Sequence, residues 1–594
     1  MFSGAGSSTS VGRLMKTALL LFAVTVGLLL WVHAPASAQT LPTTFDTTLP
    51  AVTGSTFPVN AGGSIQTAIN AAAGANPNLN HEVVVQAGTP FTGALTIPTR
   101  AAGTGWIIIR SSALASLPAA GTRVGPANAT NMPKIQGPGT GGSFTPIIDI
   151  EAGSRQWRLV GLEVTVSNGS PHATLIRIGS GAETTVGQLA TNIVLDRVYL
   201  HSFSTALSAG LKFGVQMNGA KIALLDSYVD DMKAAPNQIF SGDDGESKGI
   251  VTWNGSGPFK IVNNFIQVAG INVMFGGSDA NAPALRPADL DFRNNYVPKN
   301  VALWRSSSVV AKTTFELKNM ARVLIEGNRF GPAWVPLSGD GGQVLRLNVR
   351  NQDGTDPGSR VQDITFRNNI VKSGGTGIQF LVHDSPNASA NMARGLFENN
   401  LFDDINSATW GGLGNAWTFT SYSEGSPEPN SAQEMVFNHN TVFSDLAPIN
   451  AQDSTNQVFE SGANAFQNNI FQRGSYGIRS DAFGEGTPTL NGRFAGAPFT
   501  RNLMIGGSAL SYPADNFVPA TVGLVGFVNF AGGDYRLAVT SIYRNLATDG
   551  TDIGVNVDTL NARQACTISG VCGAGTGAAP AAPFGLTLSF SWQE

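Results

Sequence analysis

The segment Phe315-Glu316-Leu317-Lys318 is followed about thirty residues later by Leu345-Arg346-Leu347-Asn348-Val349-Arg350. Apolar and polar residues alternate in both. Glu316 and Lys318 therefore share one face of an extended segment, and Arg346, Asn348 and Arg350 share one face of another. Lys318 beside a second cation, Arg346, is a candidate general base, because a neighbouring positive charge lowers an ammonium pKa towards neutrality. Arg346 and Arg350 are suited to gripping a carboxylate, which guanidinium groups bind bidentately. Glu316, Asp279 and Glu246 are candidate ligands for Ca²⁺, a cation that takes carboxylate oxygens. The same alternation sends Val273 and Phe275 inward and Asn272 and Met274 outward. It places Thr252 and Asn254 outward and Trp253 inward. Asn348, Asn254 and Asn272 are then candidate substrate contacts. The chemistry such a set could perform is removal of a proton next to a carboxylate, followed by β-elimination from an acidic polysaccharide.

Other residue types open other readings. Asp243, Asp244 and Glu246 lie close together in a Gly-containing loop and could supply the paired carboxylates of a glycoside hydrolase. Outward Lys, Arg and Glu also occur on strands as plain solvated surface, which fits a non-catalytic adhesin, glycan-binding coil or structural coil. His383-Asp384 reads as a loop pair, His439 as a corner residue stacked on its neighbours, and His172 and His201 as isolated histidines. Asp403-Asp404 reads as a turn. Trp304, Trp334 and Trp410 stand at loop edges.

The elements that must carry these residues are written in a recurring phrase. It appears as Ile261-Val262-Asn263-Asn264-Phe265, Phe292-Arg293-Asn294-Asn295-Tyr296, Glu326-Gly327-Asn328-Arg329-Phe330 and Phe366-Arg367-Asn368-Asn369-Ile370. It returns as Phe397-Glu398-Asn399-Asn400-Leu401, Phe437-Asn438-His439-Asn440 and Phe466-Gln467-Asn468-Asn469-Ile470. Degenerate copies precede these near Asp196 and Asp226, and a weak one follows at Arg501-Asn502-Leu503. The second Asn recurs every 29 to 41 residues, roughly the period of repeat architectures. Flanking alternation gives strands, and Asn is the non-Gly residue that most readily takes the left-handed conformation of a sharp corner. Stacked corners let the amides bond along the axis. The predicted fold is all-β: a single-stranded right-handed parallel β-helix.

At these residues the chain resembles the secreted right-handed parallel β-helix proteins of bacteria, within the pectate-lyase-like superfamily. The resemblance runs from about Asp196 to Asn469, and is carried also by Trp253-Asn254-Gly255-Ser256-Gly257-Pro258, Val273 to Asp279 and Phe315 to Asn319. It implies the fold and a glycan partner. The Trp-x-x-Asp-His and Arg-x-Pro-x-x-Arg patterns of the best-known pectate lyases are absent. So are the Asn-Thr-Asp, Gly-His-Gly and Arg-Ile-Lys segments of polygalacturonases.

The 594 residues include 70 Gly, and only 13% are charged. That composition suits many tight turns, and a solenoid can absorb this length as one unit. A net charge of −4, with no basic stripe, argues against a nucleic-acid partner. Arg13 and Lys16, the apolar run Ala18 to Val32 and Ala36-Ser37-Ala38 read as a signal peptide over residues 1–38, with an uncleaved anchor as the alternative. Export to the extracellular space, periplasm or cell surface follows, as a monomer with no membrane span after cleavage. Residues 39–62 read as extended, and 63–572 as the β-helix. Ser64 caps a short helix that covers the first strand. Residues 573–594 read as an Ala/Gly/Pro-rich linker with an apolar tail. Cys566 and Cys572, six residues apart, are candidates for a disulfide in an oxidising compartment.

Overall fold

From Asn263 onward the windings turn their corner on the central pair of the recurring Asn phrase, and the earlier ones turn it on Gly161, Arg197 and Asp226, also left-handed. The first member takes the left-handed conformation, with φ of 59° at Asn263, 55° at Asn294, 57° at Asn368 and 54° at Asn399. Gly327 and His439 hold the same position, at 68° and 51°. The second member points inward and stacks. Asn369 Oδ1 accepts from the backbone N of Asn328 (2.9 Å) and from Asn328 Nδ2 (3.0 Å). Asn369 Nδ2 donates to Ile325 O (2.9 Å) and on to Asn400 Oδ1 (3.2 Å). The pattern runs from Asn264 through Asn295, Asn328, Asn369, Asn400, Asn440 and Asn469 to Asn502. Every side-chain amide of this row is thus satisfied by its neighbours, the condition for keeping polar groups inside a dry core.

The computed structural model describes residues 39–137, 145–166, 171–203, 210–336, 339, 341–384, 386–421, 430–452, 457–460 and 462–573. Among them, three all-parallel sheets of 14, 12 and 13 strands form the walls of a parallel β-helix. In one winding, Met320–Glu326 lies in the first sheet, Arg329–Phe330 in the third and Gln343–Asn348 in the second. The interior is a continuous apolar column. Phe366, Phe397, Phe437 and Phe466 occupy one register line of the first sheet, with ring centroids 5.7, 4.7 and 5.0 Å apart. Each such ring contributes about 1.5–3 kcal/mol of burial.

The helix Ile65–Ala73 begins at Ser64, whose hydroxyl accepts from Thr67 N. It sets Ile65, Ala68, Ile69 and Ala72 against the core. The first strand, Thr56–Val59, pairs with His81–Val85, so the coil begins within the segment read as merely extended. At the other end Leu490, Phe494 and Tyr512 join the core. Beyond Ile505 the chain leaves the coil, where the sequence suggested further windings. It forms an antiparallel hairpin, Phe527–Asn529 with Asp534–Leu537, and a helix, Val557–Ser569. This strap lies on the Asn corners: Gln564 Nε2 donates to Asn328 O (3.1 Å) and Asn368 O (3.0 Å), and Thr567 donates to Gly327 O. The Cys566–Cys572 disulfide closes the helix end beside Gly121, whose carbonyl accepts from Cys572 N (2.8 Å). Residues 1–38 and 574–594, with the signal and tail readings, lie outside the described residues. Among the described residues no helix is long and apolar enough to cross a membrane.

Candidate active site

Ile271–Phe275, Phe315–Leu317 and Gln343–Asn348 are successive strands of the second sheet. Their register aligns Met274 with Glu316 and Glu316 with Arg346. Val273, Phe275, Phe315, Leu317, Leu345 and Leu347 point into the core. Glu316 and Arg346 therefore stand on the outer face, one rung of about 4.8 Å apart. Lys318 follows directly, its N–H donating to Phe275 O (2.7 Å). The preceding rung offers Gly276 there, at φ +98°, where a Cβ would come within 2.8 Å of Lys318 Cβ.

Although on the outer face, Glu316 is fully buried, while Lys318 keeps 22% of its side chain exposed. Glu316 Oε1 accepts from the Thr313 hydroxyl (2.7 Å) and faces Arg346 at 3.9 Å. Oε2 accepts no hydrogen bond and faces Lys318 Nζ at 3.7 Å. Burial pushes this carboxyl upward, but the charges of Lys318, Arg346 and Lys312 and the Thr313 hydroxyl outweigh it and hold it below its ordinary value. For Lys318, burial is the largest influence and drives the ammonium below its ordinary value. Lys312 and Lys248 add to that depression, and Glu316 and Glu246 oppose it. The cause anticipated from sequence, Arg346, is not among the largest influences on Lys318. Desolvation and two unforeseen lysines take its place.

Those lysines complete a cluster. Lys312 Nζ meets Glu246 Oε1 at 2.6 Å and Lys248 Nζ meets Oε2 at 3.3 Å. Four cations (Lys248, Lys312, Lys318 and Arg346) thus surround two carboxylates, leaving a surplus of positive charge. Lys312 comes from the long connection between Tyr296–Val297 and Phe315–Leu317. That connection is anchored by Trp304, Val309 and Ala311, which pack with Trp334 and Ala269. Its place in a loop hid it from strand alternation. The signal available was proximity in sequence to Glu316.

The remaining candidates are dispersed. Arg350 pairs with Asp384 at 2.7 Å, and Asn348 Oδ1 accepts from Leu381 N. Asn272 does not face out. It is fully buried, donates to Ile266 O and Pro298 O, and accepts from Lys299. The strand bends there, so Asn272 and Val273 both turn inward. Asn254 is also fully buried, bonding to Gly181 O, Glu183 O and Asn281 N. One rung earlier the alternation is inverted. Thr252 aligns with inward Phe275, and Trp253 packs outside with Met274, Val251 and Phe213. Asp279 binds the loop at Asp353 N and Thr355. The three carboxylates assigned to Ca²⁺ therefore do not converge, and no metal-binding group of three exists among the described residues. Asp243 and Asp244 both pair with Lys212, which ties up the hydrolase pair. His383 bonds to Asn391, His172 to Thr145 O, and His201 to Glu163. His439 reaches Asp549 instead of stacking on the corner row.

Lys299, which the sequence reading passed over, is fully buried and donates to Val268 O, Ala269 O, Gly270 O and Asn272 Oδ1 at 2.7–3.0 Å. It staples the bend that precedes Val273. Lys299→Met removes this donor from all four oxygens; Ala269 O and Gly270 O keep the Lys312 N–H, and Val268 O and Asn272 Oδ1 lose the ammonium. We expect it to cost about 3 kcal/mol or more, read as a lower denaturant midpoint.

No family model matches the chain, and no curated protein is similar to it in sequence. Solved structures similar to it include an alginate lyase from Paenibacillus sp. strain FPU-7, with 12% identity and a TM-score of 0.29, over 75% of this chain and 99% of that one. A mannuronic-acid-specific lyase of polysaccharide family 6 from human gut microbiota shows 9% identity and a TM-score of 0.39, over 78% and 91%. A pectate lyase, Pel9A, shows 10% identity and a TM-score of 0.30, over 84% and 96%.

Proposed function

We propose that the chain is an exported carbohydrate-active protein that cleaves an acidic polysaccharide by β-elimination on the outer face of its second sheet. The observation that carries this reading is the juxtaposition of Lys318 and Arg346 around buried Glu316, within a cluster richer in cations than in carboxylates. A substrate carboxylate would meet Arg346 and the neighbouring lysines, which stabilise the charge that builds up as the adjacent C–H bond breaks. That proton passes to neutral Lys318 Nζ. The C–H electron pair becomes a carbon–carbon double bond, the bond to the glycosidic oxygen breaks, and the leaving oxygen takes a proton from water. The lowered ammonium value of Lys318 favours its neutral, proton-accepting form.

The test is incubation with a panel of uronic-acid polysaccharides, followed by the ultraviolet absorbance of unsaturated products. Product growth supports the reading, and none on any uronic polymer removes it. Chelator is expected to leave the rate unchanged, because cationic side chains stand where a carboxylate trio for Ca²⁺ would be needed. A rate abolished by chelator and restored by Ca²⁺ would contradict this.

A second reading, a non-catalytic glycan-binding coil, has its own support. Four surface cavities, of about 340, 530, 870 and 160 Å³, are lined by residues other than Glu316 and Lys318. Binding of a uronic polymer without any unsaturated product would favour it.

A further inference from the structure

The cavity of about 870 Å³ lies between the coil's corners and the C-terminal strap, on a flank that the elimination chemistry does not use. Its volume falls within the range of small-ligand sites. One wall comes from the end of the first sheet and its corners: Glu326, Arg367, Glu398 and His439. The other comes from the strap, between Tyr535 and Arg563.

Most charged groups of these walls lie beside a partner, and Arg536 also meets Asp534, outside the lining, at 2.6 Å. Arg367 meets Glu326 at 2.9 Å, His439 meets Asp549 at 3.1 Å, and Arg544 and Arg536 meet Asp552 and Asp558 at 3.5 Å. Two groups stand outside this pairing. Arg563 forms no ion pair among the described residues. The Glu398 carboxyl accepts only from Asn438 Nδ2 among the described residues, at 3.2 Å. Burial pushes the Glu398 carboxyl above its ordinary value, against the pull of Asn438, His439 and Arg367. Such a cavity has little net charge to attract a phosphate or a uronate. It instead presents donors and acceptors of both kinds, with apolar Leu537, Ile553 and Val555 between them. Hydroxyl groups, which donate and accept in turn, match that lining.

We propose that this cavity is a second glycan site, taking a neutral oligosaccharide, with Glu398 and Arg563 contacting its hydroxyls. It is independent of the elimination site.

The test is calorimetric titration of the full chain with neutral hexasaccharides of glucose, xylose, mannose and galactose, and with a uronic hexasaccharide as the contrast. At least one neutral hexasaccharide is expected to bind. Glu398→Ala should weaken that binding tenfold or more, and Glu398→Gln less, because it keeps the shape and an acceptor oxygen. Arg563→Ala, at an exposed position that the fold does not need, should weaken it several-fold. Lys318→Ala should leave it unchanged, while Glu398→Ala should leave unsaturated-product formation unchanged. The proposal is overturned if no neutral hexasaccharide binds. It is equally overturned if only the uronic one binds, or if binding is indifferent to both Glu398→Ala and Arg563→Ala.

Discussion

Lys318→Ala is expected to reduce unsaturated-product formation on a uronic polymer about a thousandfold, near the middle of the range for removing a positioned general base. The fold should survive, because Lys318 stands on the outer face and its backbone bond to Phe275 O does not involve the side chain. Lys318→Arg separates charge from basicity. It keeps a cation beside Glu316, but guanidinium does not lose its proton in proteins, so activity should stay near the Ala level. A rate restored by Arg would mean that Lys318 acts only by its charge.

The pH profile carries the same assignment further. The base works when neutral, so the rate rises with pH through the Lys318 value, which burial holds below the ordinary ammonium. Lys312→Met removes a charge that depresses this value and should move the rising limb to higher pH. Glu316→Gln removes the charge that props it up and should move the limb to lower pH. Opposite displacements from these two variants are not expected of a structural role. A limb that stays in place in both would exclude Lys318 as the titrating base.

The corners were legible from sequence because one residue type did two jobs at adjacent positions. The first Asn of each pair takes the left-handed backbone, and the second fills the interior row. Glu316 and Arg346 were legible because they sit in strand, where side chains alternate, and Lys318 directly follows the strand that carries Glu316. Asn272 and Asn254 were misread for the complementary reason. Alternation holds only while a strand is straight, and the chain bends beside Asn272, where Lys299 collects three carbonyls. Lys312 was invisible to periodicity because it reaches the cluster only through the folding of the Trp304 connection, and Lys248 because it stands at the very start of its strand, Lys248–Thr252. The strap was missed because its short strands resemble those of the coil. Nothing in their pattern tells pairing along the axis from an antiparallel hairpin.

The largest stability effect should come from the Asn row itself. Asn369→Ala removes an acceptor from the Asn328 backbone N–H and side chain and a donor from Ile325 O and Asn400 Oδ1. All of these are buried; Asn400 Oδ1 keeps the Asn369 backbone N–H and Asn328 Nδ2 keeps Phe292 O, but the Asn328 N–H and Ile325 O lose this partner, and each orphaned buried group costs about 1–3 kcal/mol. The loss expected is about 3 kcal/mol or more, after allowing for rearrangement along the row. Asn369→Asp should be at least as harmful despite its similar shape. It keeps the acceptor for Asn328 but sets a carboxyl oxygen against Ile325 O and Asn400 Oδ1, two oxygens that repel it, in a buried site where a charge is costly. Asn368→Gly should be far milder. Asn368 serves mainly through its left-handed backbone, at φ 57°, a conformation that Gly takes without strain. Its partners, Glu326 and Asn399, lie towards the corner's outer side. Denaturant unfolding monitored by circular dichroism should therefore rank the variants wild type, Asn368→Gly, then Asn369→Ala and Asn369→Asp. Asn369→Ala within 0.5 kcal/mol of wild type, below the roughly 1 kcal/mol that a single orphaned buried group costs, would mean that the stacked amides do not hold the windings in register. The apolar column would then bear that task alone.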